Sequence, residues 1–174
     1  MANPVQRPKP YVVALGTIEP RKNLGRLFEA YQKSNVRAEV DLLIVGRRGW
    51  GELPTGAEFI EAPSDSEVWR LISGAAALVM PSLYEGFGLP ILEAQAAGTP
   101  VLCSDLPVFR EVSGGHASFF DPLSIDSMVS SLETVLELDL DLKDAKRNAE
   151  KYSQDRVTLQ LRELYRSLGM TDLI

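Results

Sequence analysis

Histidine and cysteine are almost missing from this chain: its 174 residues hold one of each, His116 and Cys103. A single cysteine excludes an intramolecular disulfide and suits a reducing compartment. With one cysteine and one histidine no zinc-site pattern can be written, and no cluster of aspartates shows metal-ligand spacing. A basic excess is missing too. Lys and Arg number 18 against 24 Asp and Glu, a formal net charge of −6, which argues against a nucleic-acid binder. No apolar run approaches the length that spans a bilayer, and no signal peptide is visible. The GxGxxG fingerprint of a Rossmann oxidoreductase does not follow the first apolar run. There are no internal repeats and no low-complexity tracts.

What is present suits one globular domain. Hydrophobic residues make up 45% of the chain, and the length allows a sizeable core. The most informative stretch is residues 81–98, PSLYEGFGLPILEAQAAG. It reads as strand end, glycine turn and helix. Gly86 and Gly88 allow a tight backbone. Pro90 fits a first helical turn, Leu89, Leu92 and Gln95/Ala96 give helical spacing, and Gly98 stands where a C-terminal glycine cap belongs. Glu85 lies in the loop and Glu93 one turn inside the helix. Exposed amides at a helix N-terminus attract phosphate, and carboxylates accept bonds from hydroxyls. The stretch predicts a pocket for a ligand both phosphorylated and hydroxylated.

Met1–Pro10 is polar and proline-rich, an expected extended lead-in. Tyr11–Leu15 predicts a buried strand closed by Gly16. Asn23 is a plausible cap for a helix carrying Leu24, Leu27, Phe28 and Tyr31. Arg21 and Lys22 stand at that helix start, where cations oppose the dipole. Either a bound diphosphate accounts for them or they are a solvated surface pair. Val40–Val45 predicts a second strand. Arg47 and Arg48 at its end contact phosphate or base, or are a solvated loop pair. Trp50 stacks on a ligand or pins its loop, and pinning is the expectation.

Glu58–Glu61 is a weak third strand, and Ser64 with Glu67 forms a capping-box pattern before a short helix ending near Gly74. Ala76–Met80 and Thr99–Cys103 predict the fourth and fifth strands. Residues 106–112 predict a short helix, and Ala117–Phe120 a sixth strand. His116, in a glycine turn, reads as a surface residue. Ser124 caps a helix whose apolar face runs from Ile125 to Leu136. LDLDLKD reads as a loop and helix start, followed by helices over 142–152 and 155–168 with Ser153 as the cap between them. Strands alternating with helices predict an α/β fold, a doubly wound parallel sheet of about six strands with helices on both faces. The post-strand loops, with Arg21/Lys22, Arg47/Arg48, Ala62/Pro63, Glu85–Leu89 and Ser104/Asp105, are expected to converge on one crevice.

Glu85, seven residues and Glu93 around the GFGLP core, with the flanking PS and AAGTPV, resemble the signature of retaining two-domain glycosyltransferases of the GT-B fold, glycosyltransferase family 4 (group 1). The resemblance runs from Tyr11 to about Leu168. It implies that Arg21 and Lys22 bind the diphosphate of a GDP- or UDP-sugar and that Glu93 binds the ribose hydroxyls. It implies that Glu85 contacts the donor sugar near the reacting centre, as nucleophile, base or positioner. Gly16, Thr17, Gly86, Phe87, Gly88 and Leu89 complete the implied donor site, with the amides of Gly88, Leu89 and Ile91 as donors of hydrogen bonds. Many relatives carry an arginine where this chain has Thr17. A glycine-aromatic pair near the base is replaced here by Ala62 and Pro63.

The resemblance also implies metal-independent transfer with retention of anomeric configuration, and no cofactor. It matches a donor-binding half, residues 11–174. Relatives add an N-terminal acceptor domain, expected to be absent from this chain, so that the chain alone binds donor weakly and transfers nothing. The full protein is expected to be cytoplasmic, peripheral to the inner membrane face, and to act on a glycan or glycolipid acceptor in surface-polysaccharide assembly. LGTIEPRKN and GRRGWG lean toward mannose from GDP-mannose. A non-catalytic nucleotide-sugar-binding partner subunit is the alternative.

Overall fold

The computed structural model describes residues 3–137 and 142–168. Six strands alternate with seven helices among them. The strands are β1 (Tyr11–Leu15), β2 (Asp41–Gly46), β3 (Glu58–Glu61), β4 (Ala77–Met80), β5 (Val101–Ser104) and β6 (Ser118–Phe120). The helices are α1 (Leu24–Lys33), α2 (Asp65–Gly74), α3 (Leu89–Ala97), α4 (Pro107–Ser113), α5 (Ile125–Glu133), α6 (Leu142–Glu150) and α7 (Gln154–Ser167). Every strand pair is parallel and the order is β3-β2-β1-β4-β5-β6. The chain winds outward from β1 in one direction and from β4 in the other. The β1–β4 junction is therefore the switch point, where open parallel sheets leave a crevice at their carboxyl ends.

Alternation along each strand feeds two cores. Tyr11, Val13, Leu43, Leu78, Met80 and Cys103 face one side, packed with Ile72, Ile91 and Phe109 of the helices. Val12, Ala14, Ile44, Val79 and Leu102 face the other, packed with Leu27, Met128 and Leu132. A sheet apolar on both faces needs a helical layer on each, so the near-continuous apolar strands dictate the doubly wound form.

The strand and helix order agrees with the expectation, and several details differ. β5 starts at Val101 rather than Thr99, because the buried Thr99 hydroxyl donates to Ile72 O at 2.8 Å. α5 stops at Glu133; Val135 lies in the following turn yet is buried, and Leu136 is exposed. Ser153 occupies the N-cap position of α7, but its side chain accepts no capping bond. Residues 138–141 of LDLDLKD lie outside the described residues, and α6 begins at Leu142. α7 buries none of its residues. The lead-in is extended but anchored: Val5 N–H donates to Arg70 O at 3.1 Å, and Arg7 forks onto Glu58 with two bonds of 2.9 Å.

Candidate donor site

The loop after β1 closes as a 3-10 turn, Pro20–Lys22, before α1 begins. Proline fixes the first residue of that turn, and Asn23 leaves it in the left-handed region with φ 56°. This corrects the expected role of Asn23. It stands at the N-cap of α1, but its side chain makes no cap bond. Its amide instead donates to Pro81 O at 3.0 Å and Pro122 O at 2.8 Å. The amide of Leu83 donates to Arg21 O at 2.8 Å. These bonds stitch the loop after β1 to the loops after β4 and β6, across the switch point.

The stitching delivers Arg21 and Lys22 to Glu85. Arg21 Nη1 lies 2.6 Å from Glu85 Oε2, and Lys22 Nζ lies 2.7 Å from Glu85 Oε1. Ser82 Oγ donates to the same Oε1 at 2.8 Å, and Arg21 Nη2 pairs with Glu19 at 2.5 Å. The cluster is electrically balanced, two cations against two carboxylates. That balance offsets the cost of cations near a helix start, so the pair is neither solvated nor dependent on a ligand to be held in place. Glu19 and Ser82 were not singled out in the sequence. Ser82 carried a local signal, three residues before Glu85 in PSLYEG, whereas Glu19 had only its place in IEPRKN.

Burial pulls the Glu85 carboxyl upward, but hydrogen bonds from Lys22 and Ser82, the Lys22 charge and Arg21 outweigh it and hold it below the usual range. Arg21 is moved further up: burial lowers it, and the Glu85 and Glu19 contacts more than compensate. Both cations keep donors in reserve. Arg21 Nε and two of the three Lys22 protons are unused by the cluster.

Beside the cluster is a hollow of about 330 Å³, walled by Gly16, Thr17, Arg47, Ala62, Pro90 and Glu93. Gly16 belongs to both features. Its φ is +142°, and a Cβ there would lie 2.7 Å from Lys22 Cε. Only glycine lets the lysine lie across the strand end. Glu93 is accessible as a residue, yet no described residue bonds its carboxylate. Burial in the hollow and then the charge of Asp65 push that carboxyl above the usual range. An unpartnered acid lining a hollow is a ready acceptor for ligand hydroxyls.

The glycine turn is less uniform than expected. Gly88 has φ +103° and a Cβ there would crowd Phe109 at 3.0 Å. Gly86 has an ordinary φ and open space around it, so the turn places no demand on it. The amides of Gly88 and Leu89 have no partner among the described residues, as an anion site requires. The Ile91 amide is not free: it donates to Gly88 O at 2.9 Å. The Phe87 and Tyr152 rings form a T-shaped pair with centroids 5.8 Å apart, Tyr152 lying in the turn after α6. Leu89 is 61% exposed and helps wall a second, largely apolar hollow with Trp69, Leu92 and Tyr152. Ser104 and Asp105 do not join the crevice: Ser104 Oγ donates to Met80 O, and Asp105 pairs with Arg110. Arg48 turns away to Glu61 at 3.0 Å. Trp50 does not pin its loop, being 77% exposed. His116 is half-buried before β6, away from these groups. Among the described residues, no group of three or more His, Cys, Asp or Glu could hold a metal ion, and no helix is long and apolar enough to cross a membrane.

Solved structures share this architecture. Sucrose-phosphate synthase from Thermosynechococcus elongatus superposes with a TM-score of 0.77 at 22% identity, over 93% of this chain and 46% of that one. WaaG, a glycosyltransferase involved in lipopolysaccharide biosynthesis, gives 0.65 at 22% identity, over 87% of this chain and 45% of that one. In sequence, the chain is 32% identical to O-antigen chain mannosyltransferase B of Escherichia coli, over 91% of this chain and 46% of the relative. It is 34% identical to O-antigen chain mannosyltransferase RfbU of Salmonella typhimurium, over 74% of this chain and 39% of the relative. The chain thus spans less than half the length of these curated relatives. Residues 2–152 match the glycosyl transferases group 1 family. The switch-point cluster, the Rossmann-like GT-B half-fold around it and this match lead to one assignment: the chain belongs to the group 1 glycosyl transferases.

Proposed function

We propose that this chain is the donor-binding part of a retaining hexosyltransferase, moving mannose from GDP-mannose to a glycan or glycolipid acceptor in surface-polysaccharide assembly. The observation that carries the proposal is the convergence of Arg21 and Lys22 on Glu85 beside the free amides of Gly88 and Leu89. The names of the sequence relatives, O-antigen mannosyltransferases, support the sugar and the pathway class.

In this reading Glu85 and Glu19 orient the cations, and the reserve donors of Arg21 and Lys22 receive the diphosphate. Negative charge grows on that leaving group as the anomeric bond breaks, and fixed donors aimed at it lower the barrier. Two side-chain cations then do the charge compensation that a divalent metal does in other sites. Glu93 accepts from the ribose hydroxyls. Glu85, with both oxygens engaged and its carboxyl held ionised, positions the clamp and accepts from a donor-sugar hydroxyl rather than donating a proton.

Calorimetric titration of the 174-residue chain with GDP, UDP and GDP-mannose tests the reading. GDP ligands should bind more tightly than UDP. Arg21→Gln with Lys22→Met, which removes two charge-assisted contacts while keeping side-chain volume, should weaken GDP binding roughly 100-fold. Undiminished binding by a folded double variant removes the diphosphate role.

A further inference from the structure

Trp50 is the most exposed large apolar side chain among the described residues, at 77%. It stands between Gly49 and Gly51 in the loop after β2. Both glycines press on the loop after β1. A Cβ at Gly49 would lie 2.5 Å from Ile18 O, and one at Gly51 2.8 Å from Glu19 Cα. The two main chains are also bonded, Ile18 N–H to Arg47 O and Gly51 N–H to Ile18 O, each at 2.9 Å. The paired loops form a wall. Arg47 lines one hollow and Trp50 a second, and the two share no lining residue. The main chain that carries the indole is therefore fixed, and a ligand has little backbone left to order.

The hollow on the Trp50 side measures about 480 Å³ and is walled by Glu19, Asn23, Arg26, Trp50 and Glu52. Asn23 is committed to Pro81 O, Pro122 O and Arg26. Glu52 has no partner among the described residues, and Arg26 uses only Nη1, on Asn23 Oδ1 at 2.9 Å. An aromatic face is thus flanked by one free acceptor and one free set of donors.

We infer that this hollow is a subsite for a pyranose ring of the acceptor glycan. A pyranose presents C–H groups on its face and hydroxyls around its rim, and the hydroxyls both donate and accept. The indole covers the face, Glu52 accepts from rim hydroxyls and Arg26 donates to rim oxygens. The free carboxylate disfavours a phosphorylated occupant. Glu19 links the subsite to the reacting centre, since it lines the hollow and pairs with Arg21, which holds Glu85. The inference rests on the hexosyltransferase reading: the acceptor's reacting end belongs to the N-terminal domain that the resemblance implies, and this subsite takes a ring further along the same glycan.

An NMR titration of the chain with methyl α-mannopyranoside, run in parallel with GDP-mannose, tests it. The Trp50 indole N–H signal is assigned by its loss in Trp50→Phe. The glycoside should shift that signal with a Kd of roughly 1–10 mM. GDP-mannose should move the Gly16 and Gly88 amides and leave the indole in place. Glu52→Gln should weaken glycoside binding several-fold with Tm unchanged. An indole signal unmoved at about 100 mM glycoside overturns the inference. So does one moved by GDP-mannose, which would put the donor on the ring, or by dilution, which would put a second copy there. If the indole responds to glycoside while no amide responds to GDP-mannose, the donor reading fails and the sugar site stands.

Discussion

Gly16 has no side chain, and Lys22 uses the space. Gly16→Ala would put a methyl 2.7 Å from Lys22 Cε at φ +142°, so the ammonium must leave Glu85 or the strand end must shift. Titration of this variant with GDP should show binding weakened about tenfold, near 1.4 kcal/mol. Glu85→Ala leaves Lys22 without a carboxylate and Arg21 with Glu19 alone; thermal unfolding should show a loss of about 3 kcal/mol, or about 6–12 °C in Tm, at pH 7. The sign with pH follows from the depressed Glu85 carboxyl. Its stabilisation is present above the unfolded value of about 4.3 and fades as pH falls through the lower folded value, so the two proteins should converge in acid. Glu93 is the reverse case, a carboxyl raised on folding. Its ionised form opposes folding above about pH 4.3. Glu93→Gln should therefore raise Tm at pH 7 and not in acid, while weakening nucleotide binding. Much of the site was legible at this scale, because Arg21, Lys22, Glu85 and Glu93 sit in short strings whose chemistry is local. The Arg21–Glu85 contact was not, since it joins residues 64 apart.

At the scale of elements, local grammar and tertiary demand separate cleanly. The α2 capping box formed as read, with Ser64 accepting from the Glu67 amide and Glu67 reaching back to the Ser64 amide at 2.8 Å. Gly98 ended α3 as read, at φ 76°. Both features depend on residues within one helical turn. Asn23 looked equally local and was not. Its amide serves carbonyls 58 and 99 residues away, which no capping pattern encodes. Asn23→Ala leaves those two carbonyls without a donor and places a Cβ-bearing residue without asparagine's tolerance at φ 56°. Denaturant unfolding should show a loss of about 3 kcal/mol. The 3-10 turn before α1 was likewise hidden, because a proline followed by two cations reads equally well as the first turn of the helix.

Taken whole, the chain winds its sheet from a junction that gathers the cation cluster. The parallel, doubly wound class follows from apolar runs separated by helical spacing, so the architecture could be anticipated; the spatial strand order and the anchoring of the lead-in by Arg7 and Glu58 could not, the latter because it joins residues 51 apart. α7 contributes no buried residue, and Leu159, Leu161, Leu164 and Leu168 stand in solvent. A chain ending at Ser153 should unfold within about 2 °C of the parent, since surface changes are worth only a few tenths of a kcal/mol; a larger drop in calorimetry would show that α7 supports the fold. In a transfer assay following GDP release, the chain should turn over far more slowly than an enzyme of its relatives' full length. The pair of loops that lines the two hollows has its own consequence. Arg47 and Trp50 lie three positions apart on one strip yet line different hollows, and the strip is fixed by main-chain bonds rather than by either side chain. Mutation can then rewrite the lining of the Arg47 hollow or of the Trp50 hollow separately, so the two are free to diversify independently.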